Sequence, residues 1–334
     1  MEVQRLWQDL RLAESACRGQ PGFGDPPSFG NVFEVCAECA EFSLRSRGGK
    51  AAAKPGLQDV LRLAVELLPI RNAPLREYSG NLLDVPHKER EPLRDWSLAI
   101  LGALEPVVSP AIADRGNKAV KDFLAYLETL VARRRAKPGD PTRDVLTRLI
   151  LGEDNGERLT EKELLHNCIF LLNAGHETTT NLIGNGLVTL SHYPEQKQRL
   201  IDHPDLIKTS VEEMLRFESS NQLGNRMIVA PVELGGIAMP AGTPVTLCIG
   251  AANRDPAQFP DPENFDVGRT PNRHLAFATG AHQCAGMALA RLEGAIAISR
   301  FLARFPKYAL NGEPVRGGRV RFRGFLSVPC VVKG

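Results

Sequence analysis

Cys284 stands in the stretch Phe277-Ala278-Thr279-Gly280-Ala281-His282-Gln283-Cys284-Ala285-Gly286. From Met287 to Ile298 the apolar residues then recur with a helical repeat. The cysteine therefore falls at or just before a helix N-terminus, where unpaired amide N–H groups and the helix dipole favour a thiolate. Gly280 and Gly286 carry no Cβ, so the backbone there can turn tightly and come close to a flat ligand. Phe277 supplies an apolar wall that keeps water off the sulfur. A buried, unpaired thiolate of this kind suits axial ligation of iron. The plainer alternative is a structural cysteine packed before a helix.

Three other stretches hold residues that could position or assist such a centre. Thr160-x-x-Glu163 is a capping box. It predicts a helix from there to about His192, stopped by Pro194, roughly 45–50 Å long. Its middle reads Ala174-Gly175-His176-Glu177-Thr178-Thr179-Thr180, a poor helix interior flanked by apolar residues nearly all round. Gly175 would let a ligand lie against the backbone. The Thr178 hydroxyl can bond the carbonyl four residues back or release it. Glu177 places an acid next to that alcohol. Glu213 and Arg216, at i and i+3 on a helix over 206–217, share one face and read as a structural ion pair. Residues 226–234 and 243–249, with the Gly235-Gly236 turn between them, read as strands.

In this order the stretches resemble cytochromes P450. The loop matches Phe-Gly-x-Gly-x-His-x-Cys-x-Gly at Phe277, Gly280, His282, Cys284 and Gly286, and departs from it at Ala278, where the family has glycine. Ala174 to Thr179 matches the family's oxygen-activation motif, and Glu213/Arg216 its Glu-x-x-Arg pair. Asn264 stands where the family often has a third, arginine partner for that pair, a role open to Arg269 or Arg273. The resemblance covers residues 82–334. It implies a mainly α fold with small β-sheets, the cytochrome P450 fold, in one domain. It implies haem b (iron protoporphyrin IX) between the long helix and the loop, with Cys284 as the axial iron ligand. Arg226, His274 and His282 then become partners for the haem propionates, with Gly175, Phe277, Gly280 and Gly286 lining the cofactor. Glu177 and Thr178 become the catalytic pair that relays protons.

The activity implied is insertion of one atom of O2 into a hydrophobic small molecule, by default a terpenoid. Electrons would come from a ferredoxin-type donor with its reductase. A P450-like protein that uses peroxide or isomerises its substrate is a second reading; a haem binder or remnant without activity is a third.

Composition is consistent with this class. The chain has 334 residues, 43% hydrophobic and 24% charged, with a net charge of +2. That balance gives no support to a nucleic-acid partner. The seven cysteines are odd in number and irregularly spaced, which fits reduced thiols in the cytoplasm and no disulfide framework. Cys36-x-x-Cys39 has no second pair at zinc spacing and reads as part of a helical pattern. No window has the length and apolarity of a membrane anchor. Helices are expected from Asp95, from Lys118 to Arg135 and from Asp144 to Ile150, the last before an Asn155-Gly156 turn. The run Arg133-Arg134-Arg135 reads as a solvated helix end. Residues 1–81 form a divergent region with no recognisable haem-covering helix. The family's N-terminal sheet and helix region would then be incomplete, as in a truncated copy that holds haem weakly.

Overall fold

The structure is a computed structural model that describes residues 83, 85–141, 144–154 and 157–332. The expectations for residues 1–81, for Cys36-x-x-Cys39 and for the Asn155-Gly156 turn lie outside these. The described chain is mainly helical with small antiparallel strand pairs, as the sequence implies.

The chain divides into two compact units inside one long helix, after Thr180. In the first unit, α1 (Leu93–Gly102) packs against α2 (Pro110–Ala136). Trp96 lies 5.1 Å from Phe123 and 6.0 Å from Tyr126, ring centre to ring centre. Val120, Phe123, Leu127, Leu130 and Val131 are buried on one face of α2, as their spacing predicts. The helix begins eight residues earlier than the apolar pattern suggests. Ser109 accepts the Ile112 amide and Pro110 takes the first helical position, so capping chemistry starts a turn that is polar and lacks an apolar stripe.

The basic end of α2 is not simply solvated. Arg133 meets Glu89 at 2.7 Å, Arg134 meets Asp144, and Arg135 meets Glu161 at 2.5 Å. Three separate segments are thereby tied to one helix end. Asp144 is also the N-cap of α3 (Val145–Leu151), accepting the Leu146 amide at 3.1 Å. The short strands β1 (Glu153–Asp154) and β2 (Glu157–Arg158) pair antiparallel. Then α4 (Glu161–His192) opens on the expected box: the Glu163 amide donates to Thr160 Oγ1 at 3.3 Å, and the Thr160 amide donates to the Glu163 carboxylate at 2.8 Å.

In the second unit, the end of α4 packs with α6 (Ile207–Phe217) and α8 (Met287–Arg304). A Cβ on Gly186 would sit 2.6 Å from Met214 Sδ and 3.4 Å from Ile298 Cδ1, so glycine permits this close approach. The connecting helix α5 (Pro194–Asp202) is mostly exposed. β3 (Leu223–Met227) pairs with β6 (Pro244–Cys248), Arg226 facing Val245. Between them β4 (Val232–Leu234) and β5 (Ile237–Met239) form a hairpin whose turn, Gly235-Gly236, has φ of 59° and 77°. Two successive positive φ angles are the type I′ geometry that glycine supplies. The short helix α7 (Ile249–Ala252) leads into a meander, and four brief strands, β7 (Ala309–Leu310), β8 (Val315–Arg316), β9 (Phe325–Ser327) and β10 (Cys330–Val331), close the chain.

The interior of this unit is organised by a buried ion pair. Arg216 and Glu213 have wholly buried side chains and meet through two bonds of 2.7 and 2.8 Å. Arg216 also donates to the carbonyls of Asn253, Pro262 and Asn264. Glu213 takes Arg269 Nε at 3.1 Å, Asn272 at 3.0 Å and the Asp266 amide at 3.0 Å. Arg269 thus fills the place that Asn264 leaves open, and bonds the Asn264 carbonyl as well. The Arg216 guanidinium lies over the rings of Phe217 and Phe259, 5.6 and 5.4 Å from their centroids, and Phe217 packs in turn with Tyr193 and Phe265 at centroid distances of 5.3–5.6 Å.

Two variants test this account. Arg216→Met strands the Glu213 carboxylate in the interior and should cost about 3–5 kcal/mol in urea unfolding; a loss below about 1 kcal/mol would contradict a network role. Ala278 holds φ at 55°, where a Cβ is strained. Ala278→Gly should therefore gain roughly 1 kcal/mol by the same measurement, and a loss would show that no strain resides there.

Candidate functional site

The Cys284 loop is built by backbone bonds. The Ala278 amide donates to the Leu275 carbonyl at 2.9 Å, which bends the chain back on itself. Gly280 at φ 67° opens the 3-10 turn Gly280–His282. The Cys284 amide then donates to the Phe277 carbonyl at 2.9 Å, closing the loop. Gly286 caps α8, and the Met287 amide donates to the Cys284 carbonyl at 3.3 Å. The cysteine is placed just before a helix N-terminus, as the sequence predicts.

Its environment differs from the expectation in two ways. Cys284 is exposed, together with residues 283, 285 and 286, because the glycines around it carry no side chain to cover the sulfur. Its thiol is also held above the ordinary value, not below it. Desolvation by the surrounding protein pushes it up and outweighs the Gly286 amide and the Arg291 charge, which pull it down. Before a metal binds, the thiol is the favoured form; coordination itself deprotonates such a ligand.

Phe277 is held from several directions. The Arg291 guanidinium lies over its ring, 4.7 Å from the centroid, and the His274 ring is 5.9 Å away. Both lead to Glu212, the residue before Glu213 on α6. Arg291 donates to the two Glu212 oxygens at 2.6 and 2.8 Å, and His274 Nε2 lies 3.1 Å from Glu212 Oε2. Burial would raise the Glu212 carboxyl, but the bonds from His274 and Arg291 win and hold it at about 2. His274 Nδ1 accepts the Ala276 amide at 3.2 Å, which puts the ring hydrogen on Nε2. Both ring nitrogens are therefore engaged inside the protein, whereas the resemblance implied a bond from His274 to a propionate. Arg226, on β3, bonds the Asn225 carbonyl at 2.8 Å, and His282 ends the 3-10 turn half-buried. Glu212 and Arg291 were not legible as functional residues, since an acid on a helix and a basic residue one turn into another look like ordinary surface.

In the first unit, the flanks of α4 are buried through Leu164, Leu165, Cys168, Ile169 and Leu172. Its middle is not. Phe170 is 47% exposed and Ala174 is exposed, with Thr178 half-buried one turn on. Spacing of i, i+4 and i+8 makes these one open stripe. A Cβ on Gly175 would meet nothing within 4 Å. Thr178 Oγ1 donates to the Ala174 carbonyl at 2.8 Å, the back-bond that the sequence suggests. The expectation of a helix buried on all sides holds for its ends and fails here.

These residues fit a metal that brings its own ligands. Among the described residues no group of three or more His, Cys, Asp or Glu could hold a bare ion. One exposed sulfur, on a loop whose Gly280 leaves open space beside it, suits a metal already ringed by a flat macrocycle.

Comparisons with known proteins agree. The cytochrome P450 family model matches residues 98–205 and 201–314. The biotin biosynthesis cytochrome P450 of Bacillus subtilis (strain 168) is 40% identical over 231 residues, covering 69% of this chain and 58% of its own length. The polyketide biosynthesis cytochrome P450 PksS of the same organism is 36% identical over 236 residues, covering 70% of this chain and 56% of its own length. The chain thus spans less than two thirds of these relatives. A crystal structure of P450BioI in complex with hexadec-9Z-enoic acid ligated acyl carrier protein is 30% identical, with a TM-score of 0.78 over 93% of this chain and 81% of that one. Among the described residues, no helix is long and apolar enough to cross a membrane. A single thiol on a glycine-lined loop, a buried Glu-x-x-Arg network and these matches have one common explanation: the chain belongs to the cytochrome P450 family, whose cofactor is haem iron.

Proposed function

We propose that this protein is a haem-thiolate monooxygenase acting on a hydrophobic small molecule. The observation that carries the reading is Cys284, an exposed thiol set in a glycine-lined loop before the long helix α8. Haem, when bound, supplies the oxygen-activating iron, and a thiolate ligand favours O–O cleavage. Cys284 provides the sulfur. The Gly286 amide at the start of α8 and the Arg291 charge offset part of the cost of its negative charge. Arg226 offers a planar fork and His282 a ring N–H to the propionates. Gly175 leaves room against α4 for a flat ligand or substrate.

Thr178 and Glu177 are the proton-handling pair. The Thr178 hydroxyl rests on the Ala174 carbonyl and can turn from it to pass a proton outward. Glu177, one residue before it, is the acid that resupplies that proton. Electrons come from a separate donor, taken as a ferredoxin with its reductase. For substrate, the reading is a hydrophobic small molecule, by default a terpenoid; two relatives are named for biotin and for polyketide biosynthesis. An apolar body is what a pocket of this kind requires of its substrate.

Two experiments test the reading. The reduced, carbon-monoxide-bound protein should show a thiolate-type spectrum that Cys284→Ala abolishes and Cys248→Ala leaves intact; a spectrum that survives Cys284→Ala would refute it. Thr178→Ala should bind haem normally yet lower product per nicotinamide oxidised by about tenfold or more, with hydrogen peroxide released in its place. Unchanged coupling would remove Thr178 from proton delivery.

A further inference from the structure

Adjacent carboxylates on α6 serve two different segments. Glu213 is wholly buried and gathers the meander through Arg216, Arg269 and Asn272. Glu212 points to the other segment. It holds Arg291 by a bidentate pair and His274 by a third bond. Those two groups come from opposite sides of the ligand loop in sequence, ten residues before Cys284 and seven after it. Arg291 lies over the Phe277 ring, and the His274 ring packs beside it at a tilt of 54°. His274 also fixes the Ala276 amide, and the Phe277 carbonyl holds the Cys284 amide. One carboxylate therefore restrains both ends of the loop through a single aromatic ring.

We infer that Glu212 and Arg291 are a positioning pair: Glu212 clamps Arg291 and His274 onto Phe277, and the clamp sets the Cys284 loop in place while balancing the cationic charge beside the sulfur. This rests on Cys284 being the iron ligand, but the clamp itself can be examined without haem. A guanidinium bonded in parallel to both oxygens of a carboxylate has a fixed plane. A fixed plane over an aromatic face restricts that ring, and attraction between cation and ring holds the two together. Restricting the ring restricts the Phe277 backbone, the acceptor for the Cys284 amide. Bonds from partners of this outer kind commonly orient a metal's own ligands.

The charge arrangement adds a second consequence. The positive charge of Arg291 acts on Cys284, and Glu212 neutralises it. Glu212→Gln keeps the shape but leaves the cation unbalanced, which stabilises the extra electron of reduced haem. Arg291→Gln removes the cation and leaves the carboxylate. The two variants should therefore move the reduction potential in opposite directions, up for Glu212→Gln and down for Arg291→Gln. Arg291→Lys keeps the charge and loses the fork, so its potential should stay near that of the unchanged protein.

Hydrogen exchange of the haem-free 334-residue protein, resolved to the peptide containing Cys284, reads the clamp directly. All three variants should exchange the Cys284 amide about tenfold faster. In haem-loaded protein the same variants should bind haem about tenfold to a hundredfold more weakly. A merely structural pair would lower the melting temperature in every variant without splitting the potentials by sign. Unchanged exchange at Cys284, or potentials that shift together, overturns the inference. Survival of the thiolate spectrum in Cys284→Ala would sink the proposed function instead, and the exchange result would still decide whether the clamp exists.

Discussion

Two ionised side chains with no access to water must find partners for every charge and every donor, and the Glu213–Arg216 pair shows how far that requirement reaches. A charge buried alone costs several kcal/mol, so the pair exists only if the chain folds around it. Here the carbonyls of Asn253, Pro262 and Asn264 and the side chains of Arg269 and Asn272 are all drawn in. The meander from Asn253 to Asn272 has little regular secondary structure of its own. Its path is fixed by satisfying a guanidinium and a carboxylate. That path delivers the chain to His274 and then to the Cys284 loop.

The loop in turn trades coverage for access. Glycines at 280 and 286 leave the sulfur open, and Ala278 takes a left-handed conformation that a glycine would hold more easily. Openness and strain are tolerable because the backbone is pinned at Phe277, and Phe277 is pinned through Arg291 and His274 by Glu212. The same helix, α6, thus anchors the segment that leads to the loop and the loop itself, with successive residues.

What could be read from the sequence was local. The capping box at Thr160 and Glu163 and the apolar face of α2 each depend on residues within a few positions, and each formed as read; Gly235-Gly236 turns the chain as read, but between β4 and β5, because the run read as one strand over 226–234 breaks between Met227 and Val232. The loop pattern around Cys284 placed it correctly before a helix. Partners distant in sequence were less legible. Arg133, Arg134 and Arg135 look like a solvated end, yet they meet carboxylates 44, 10 and 26 residues away. Arg269 could be named only as one of two substitutes for the position of Asn264. Glu212 gave no signal, because nothing in a helical acid tells which of its neighbours in space will be a histidine and an arginine from another segment. The direction of the Cys284 shift was misjudged for the same reason: a helix start is visible in sequence, but the desolvation that opposes it belongs to the folded chain.

The most direct test of the account is X-ray absorption at the iron edge of the haem-loaded 334-residue protein. A sulfur scatterer in the first coordination shell, beside the four nitrogens of the macrocycle, is the predicted result. A shell of nitrogen and oxygen alone would mean that Cys284 does not reach the iron, and that the α6 carboxylates organise a loop with some other purpose.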